Sequence, residues 1–276
     1  MINTPFVGSS FAEEDFRKVC QLLLEKRGFD LSMYKDQCVK RRIASRVRAR
    51  GFQQALPYLE LLGQDDIEID ALLAAISIHV SQFFRNPGVF ALLEKKILPE
   101  LIEAAMLRSD PQLRVWSVGC ASGEEPYSLA LLLHELKTPG LKISIIGTDI
   151  SRPILERARE ACFDMPRLND VPQRVRDRYF IQTGGRYRLV EPIRGMVEFQ
   201  ESNILDLENF PDVDLILCRN VLIYLAREDQ DRILKRFASL LPSWGRLVLG
   251  SSENMLGEAR GLFRPSFPAE RIYQLR

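Results

Sequence analysis

Val115-Trp116-Ser117-Val118-Gly119-Cys120-Ala121-Ser122-Gly123-Glu124-Glu125-Pro126-Tyr127-Ser128 is the stretch whose reading decides the fold. Leu113 to Val118 alternates in the manner of a short buried strand, and Ser128 to Leu133 continues as an apolar helix. The two glycines therefore mark a tight strand-to-helix turn. Gly119 and Gly123 leave no side chain in the way, so a ligand can approach the main chain, and the following helix offers free N–H groups to an anion. The spacing is not G-x-G-x-x-G, so the turn acquires meaning from what lies downstream.

Downstream, Lys142 to Gly147 reads as a second strand running into Thr148-Asp149-Ile150-Ser151, with Ser151 opening a helix that has Pro153 in its first turn. Asp149 stands at the carboxyl end of that strand, where doubly wound folds place an acid for ribose hydroxyls; a simple cap is the plainer reading. From Ala161 to Glu201 the rhythm breaks. Asp177 to Gln182 and Arg186 to Val190 flank Thr183-Gly184-Gly185 as a hairpin, and Met196 to Phe199 resembles a further strand, which together predict a small β insertion over about 161–201. The alternation resumes with Asp214 to Cys218, a helix from about Glu228 to Leu241, a strand Arg246 to Leu249 and a final strand around Arg271 to Leu275. Asn203 and Asn220 each fall just after a strand-like segment, on the edge where Gly119 and Asp149 already point.

Upstream, residues 1–75 predict an all-helical unit. Phe16, Val19, Cys20, Leu23 and Leu24 follow a 3.6-residue period that Gly28 would close. A second helix, Met33 to Arg50, carries Val39, Ile43 and Val47 on one stripe, while Lys40, Arg41, Arg42, Arg46, Arg48 and Arg50 cover the rest. That basic plate is either a solvated face or a docking surface for an acidic helix or a nucleic-acid backbone. Further helices around Ala55 to Leu62 and Glu68 to Ile78 complete a small bundle. Residues 76–92 read as a linker in which Phe83-Phe84-Arg85 is either a core plug with a surface charge or a carboxylate clamp beside the cleft. Residues 93–276 form the α/β domain.

Composition narrows the classes. Lys+Arg 38 against Asp+Glu 37 gives a net charge of +1 over 276 residues, so any pull on nucleic acid or anionic lipid is local. Neither a leader nor a membrane-spanning run is visible, which predicts a cytoplasmic protein with no membrane insertion. The five cysteines are scattered and in no metal-ligand spacing, and two histidines cannot furnish a His-rich metal site, so no metal is expected.

Gly119 with Gly123, Asp149, Asn203, and Asn220 with Tyr224 match the layout of a class I S-adenosylmethionine-dependent methyltransferase. Ser81-Gln82-Phe83-Phe84-Arg85, Gly123-Glu124-Glu125-Pro126-Tyr127-Ser128, Cys218-Arg219-Asn220-Val221-Leu222-Ile223-Tyr224 and Ser251-Ser252-Glu253-Asn254 together resemble the CheR family of chemoreceptor glutamate methyltransferases. The resemblance covers nearly the whole chain. It implies a class I Rossmann-like sheet with a small antiparallel β insertion behind a helical N-terminal domain. It also implies contacts to S-adenosylmethionine, or the product S-adenosylhomocysteine, at His79, Ser81, Arg85, Gly119, Glu125, Asp149, Asn203, Ile204, Asn220 and Val221. His79 stands where relatives carry Asn or another small polar group.

By the same resemblance Arg85 and Tyr224 are the catalytic candidates, Arg85 orienting a carboxylate and Tyr224 shaping the methyl-transfer channel. Lys40, Arg42 and Arg46 acquire a partner, the acidic methylation helices of a chemoreceptor. Some relatives hold a receptor's C-terminal tether on the β insertion with a longer Gly-bearing loop; Gln182 to Arg186 is short, which argues against a tether here. A monomer is expected. A nucleic-acid methyltransferase is the rival enzyme class, but no Asn-Pro-Pro-Tyr motif and no aromatic-rich basic groove accompany the cleft. A non-catalytic adaptor that senses the cofactor is the other alternative.

Overall fold

The computed structural model describes residues 12–27, 29, 31, 36–76, 81–205, 210–255 and 257–276. The chain divides into two compact units, residues 1–79 with Tyr224–Ala226, and residues 80–223 with 227–276.

The first unit contains α1 (Glu13–Arg27), α2 (Asp36–Ala49), α3 (Ala55–Gln64) and α4 (Asp66–Ile76). Each turns a stripe inward at helical spacing: Phe16, Val19 and Leu23; Val39, Ile43 and Val47; Tyr58 and Leu62; Ile69 and Leu72. The α1 stripe is narrower than its periodicity predicts, because Leu24 is 51% exposed. A buried acid crosses this bundle. Arg46 of α2 grips Glu68 of α4 with two hydrogen bonds of 2.8 and 2.7 Å, and the Tyr58 hydroxyl donates to the same carboxylate at 2.9 Å.

In the second unit, α5 (Pro87–Leu92) opens with a proline in its first turn and runs through a π-helical turn, Leu93–Ile97, into α6 (Leu98–Met106). Residues 87–92, read as the end of a linker, are thus the start of a continuous helix. The body follows as β1 (Gln112–Val118), α7 (Glu124–Leu136), β2 (Lys142–Asp149) and α8 (Arg152–Glu160). The insertion comprises β3 (Cys162–Phe163), α9 (Gln173–Tyr179), β4 (Phe180–Thr183) and β5 (Arg186–Leu189). Then come α10 (Glu191–Arg194), β6 (Val197–Glu201), β7 (Leu215–Cys218), α11 (Arg227–Leu240), β8 (Arg246–Leu249), β9 (Phe263–Phe267) and β10 (Ile272–Leu275).

Seven strands make one sheet in the order β6-β2-β1-β7-β8-β10-β9. The pairs from β6 to β8 are parallel, and β10 lies antiparallel to both its neighbours. This is the doubly wound sheet of class I methyltransferases. β1 is central and dry: Trp116 is fully buried, its indole N–H donates to Thr148 Oγ1 at 2.9 Å, and its ring stacks on Phe210 at 3.7 Å between centroids.

Three local expectations change. Asp177 to Tyr179 is helical, because Val175 and Tyr179 are both buried at an i,i+4 spacing and Gln173 donates to Asp177 across one turn at 2.7 Å. The insertion ends sooner than residue 201: β3, β5 and β4 form a separate three-stranded antiparallel sheet, whereas Val197–Glu201 pairs with β2 as an edge of the main sheet. β9 was not anticipated. Its sequence, Phe263-Arg264-Pro265-Ser266-Phe267, holds a proline, which an edge strand tolerates.

Candidate functional site

Four neighbouring strands, β6, β2, β1 and β7, bring Asn203, Asp149, Gly119 and Asn220 to one edge, since each residue ends its strand or follows it by one or two positions. The register sets Val118 opposite both Thr148 and Cys218, and Asp149 opposite Glu201. Ligands of open α/β sheets bind along this carboxyl edge.

The glycine-rich turn is shaped from outside as well as from within. Gly119 has a φ of 64°, and a Cβ there would lie 2.5 Å from Val221 Cγ2. Gly123 has a φ of 89°, and a Cβ there would meet Phe199, Tyr127 and Ala158 at 2.9, 3.1 and 3.2 Å. Asp149 ties this turn to its own strand: Oδ2 accepts the Ala121 N–H at 3.0 Å and Oδ1 accepts the Ser151 N–H at 3.0 Å. The cap reading of Asp149 therefore has a basis, because the carboxylate orders the turn, and the residue stands at the carboxyl end of β2. Ser151 begins α8 without a side-chain cap of its own.

Glu125, in the first turn of α7, accepts the Ser117 hydroxyl at 2.8 Å and the Arg219 guanidinium at 3.0 Å. Its neighbour Glu124 is fully buried. Glu124 Oε1 accepts Arg167 at 2.6 Å and the Ser122 hydroxyl at 3.1 Å, whereas Oε2 has no partner among the described residues. Burial pushes the Glu124 carboxyl above its ordinary value despite the pull of Arg167. Arg167 also donates to the Ser81 carbonyl at 2.7 Å, and its own carbonyl accepts the Phe83 N–H at 3.0 Å. The β insertion thereby clasps the segment that carries Ser81 and Arg85.

On the far side of β1, Asn220 holds a φ of 62°, and Glu253 accepts the N–H groups of Asn220, Val221 and Gly250 at 2.9, 2.9 and 2.6 Å. Asn203 Oδ1 accepts the Leu205 N–H at 3.1 Å, making a local turn that carries Ile204. Cys120 and Cys218 lie in the same edge with their thiols pushed well up by burial, which leaves them unreactive.

Most of the expected contacts thus converge within the second unit, but not all of them. His79 lies outside the described residues. Tyr224 groups with the helical unit, where the Arg42 guanidinium sits over its ring at 5.0 Å and also donates to the Ile76 carbonyl. The basic plate is likewise less open than predicted. Lys40 donates to Glu13 at 2.6 Å and lies over the Phe16 ring at 4.7 Å, and Arg46 and Arg50 share Glu68. Arg41 and Arg48 are exposed.

The residues that the linear reading passed over are Arg219, Arg167, Glu124 and Glu253. Arg219 and Glu253 stand in motifs that were visible, but their partners lie far away in sequence. A charged residue directly after a strand-like run, as Arg219 follows Cys218, is the signal that was available.

The donor set suits S-adenosylmethionine. Carboxylate acceptors at Asp149 and Glu125 match a ribose diol and an α-ammonium group, and the turn at Gly119 has no room for a side chain. Sheet order and edge together define a class I methyltransferase fold. Residues 79–269 match the family described as "CheR methyltransferase, SAM binding domain", and residues 14–77 match "CheR methyltransferase, all-alpha domain". The chain belongs to the CheR methyltransferase family. It is 34% identical over 276 residues to the "Chemotaxis protein methyltransferase" of Salmonella typhimurium, covering 96% of this chain and 91% of that protein. It is 33% identical over 248 residues to the protein of the same name from Listeria monocytogenes, covering 90% and 92%. The Borreliella burgdorferi protein of that name is 31% identical over 257 residues, covering 90% of each.

Proposed function

We propose that this protein methylates glutamate side chains in the cytoplasmic methylation helices of a chemoreceptor, producing methyl esters that adjust chemosensory signalling. The observation that carries this reading is family membership across both parts of the chain, the helical domain included.

S-adenosylmethionine supplies the methyl group on a sulfonium sulfur and leaves as S-adenosylhomocysteine. Asp149 would hold the ribose hydroxyls, Glu125 would face the α-ammonium, and the turns at Asn203-Ile204 and Asn220-Val221 would frame the adenine. Ser81 would be a further contact. An accepting glutamate has an ordinary pKa of about 4.3, so near neutrality it is already ionised and no general base is required. The remaining work is alignment and exclusion of water. Arg85 orients a carboxylate, either the substrate's or the cofactor's. The receptor docks on the basic plate that carries Lys40, Arg42 and Arg46, beside which Arg41, Arg48 and Arg50 are exposed.

Calorimetric titration with S-adenosylmethionine and transfer of labelled methyl to a purified receptor cytoplasmic fragment test this reading. Asp149→Ala is expected to weaken cofactor binding by about a hundredfold, the cost of an unmade charged hydrogen-bond pair. Arg85→Ala is expected to lower turnover by at least about a hundredfold in a folded protein. Wild-type protein that binds no S-adenosylmethionine, or incorporates no base-labile methyl into any receptor fragment, would overturn it.

A further inference from the structure

We propose that Arg219 is a positioning residue for methyl transfer, locking Arg85 and Glu125 into one rigid arrangement; this rests on the S-adenosylmethionine-dependent reading above. Arg219 follows β7 directly, and its side chain is 3% exposed. One guanidinium nitrogen donates to Glu125 Oε2 at 3.0 Å. The other donates to the Arg85 carbonyl at 2.7 Å and to Asn86 Oδ1 at 2.5 Å. The guanidinium lies over the Phe90 ring at 5.5 Å, and its Nε is buried without a partner among the described residues. A single planar fork thus joins the strand end after β7, the first turn of α7 and the segment leading into α5.

The segment it holds does not rest in an ordinary conformation. Phe84 and Asn86, on either side of Arg85, have φ values of 52° and 64°. Two left-handed residues flanking one position persist only where the surroundings over-determine them. Here the Phe84 N–H donates to Ser128 Oγ at 3.0 Å on one side, and Arg219 captures the backbone and side chain of the next two residues on the other. Pro87 follows at once and admits no helical continuation backwards.

Glu125 is held on both oxygens, by Ser117 and Arg219, so its carboxylate presents a fixed acceptor to the α-ammonium of the cofactor. A lysine could satisfy Glu125 as a point charge. Only the guanidinium plane reaches Glu125 and Arg85-Asn86 together. Arg219 therefore couples the end of the cofactor to the residue proposed to orient a carboxylate.

Arg219→Lys separates these roles. It should leave S-adenosylmethionine binding by calorimetry within about fivefold of wild type, while kcat for receptor-fragment methylation falls by about tenfold or more. Amide hydrogen exchange should accelerate across residues 83–90 and stay unchanged in the β8 region. Combining Arg219→Lys with Arg85→Ala should lower kcat no further than Arg85→Ala alone, since both act through one group. Asn86→Gly keeps the left-handed backbone and removes only the side-chain acceptor, so it supplies a milder version of the same loss if Arg219→Lys does not fold.

Unchanged kcat and exchange in folded Arg219→Lys, or independent, multiplicative losses in the double variant, would overturn the proposal. A wild-type protein inactive on receptor would instead overturn the proposed function. The exchange comparison still judges the Arg219 linkage in that case, because it requires no turnover.

Discussion

Glu253 accepts the Asn220 N–H through one carboxylate oxygen and the Val221 N–H through the other, each at 2.9 Å. The first oxygen also accepts the Gly250 N–H at 2.6 Å, so one buried acid closes the turn after β7 against the end of β8. Burial pushes its carboxyl above the ordinary range, while these backbone donors pull the other way. Glu253→Gln keeps the shape but replaces one acceptor with a donor that faces N–H groups. S-adenosylmethionine affinity should fall by about tenfold in calorimetry and the protein should melt earlier, consistent with roughly 1–3 kcal/mol for an unmade buried bond. Unaltered affinity in a destabilised but folded variant would confine Glu253 to stability.

Gly119→Ala probes the cradle directly. The substitution combines a φ of 64°, which alanine disfavours, with a contact of 2.5 Å to Val221 Cγ2 that must open. Loss of S-adenosylmethionine binding with only a modest fall in Tm is the expected outcome, read from paired calorimetry and thermal melts. Normal binding would show that the edge has slack at this position.

Glu68 gives the helical unit an acid-sensitive tie. Burial alone would raise its carboxyl, but the hydrogen bonds from Arg46 and Tyr58, together with the charges of Arg46 and Arg50, outweigh that and hold it below the ordinary value of 4.5. A carboxyl depressed in the folded state contributes stability that is present above 4.5 and lost as pH falls through the folded value. Wild type should therefore lose stability below that pH more steeply than Glu68→Gln in denaturant titrations at stepped pH. Arg46→Ala at neutral pH leaves Glu68 with only Arg50 and Tyr58 and should cost about 1–3 kcal/mol. Parallel curves for wild type and Glu68→Gln would remove the tie.

Arg41, on the same helix as Arg46, is exposed, and its reversal is the test of docking. Arg41→Glu should raise KM for a receptor fragment by about threefold, most visibly at low salt, with S-adenosylmethionine affinity unchanged. Arg46→Glu is a poor instrument for the same question, because it sets a second carboxylate against Glu68. Equal KM for the reversed protein would return α2 to a solvated face.

Composition, periodicity and turn chemistry determined the helical start, the strand-turn-helix at Gly119-Gly123, and the order of acids and amides that follow successive strands. These are local: side-chain period and the steric demands of glycine and proline are written in neighbouring residues. They located Gly119, Asp149, Asn203 and Asn220 on a common edge, and the motifs around them carried the family resemblance, which added Glu125. They left open which charges are spoken for. The same run of cations in α2 reads alike whether Arg46 meets solvent or Glu68, and β6 reads alike in an insertion or on the main sheet. Tertiary structure decided those points, placing Arg219 against both Glu125 and Arg85 and Glu253 beneath Asn220. A buried charge must find its partner wherever the chain brings one within hydrogen-bond reach, and a linear pattern does not encode the distance between residues 219 and 125.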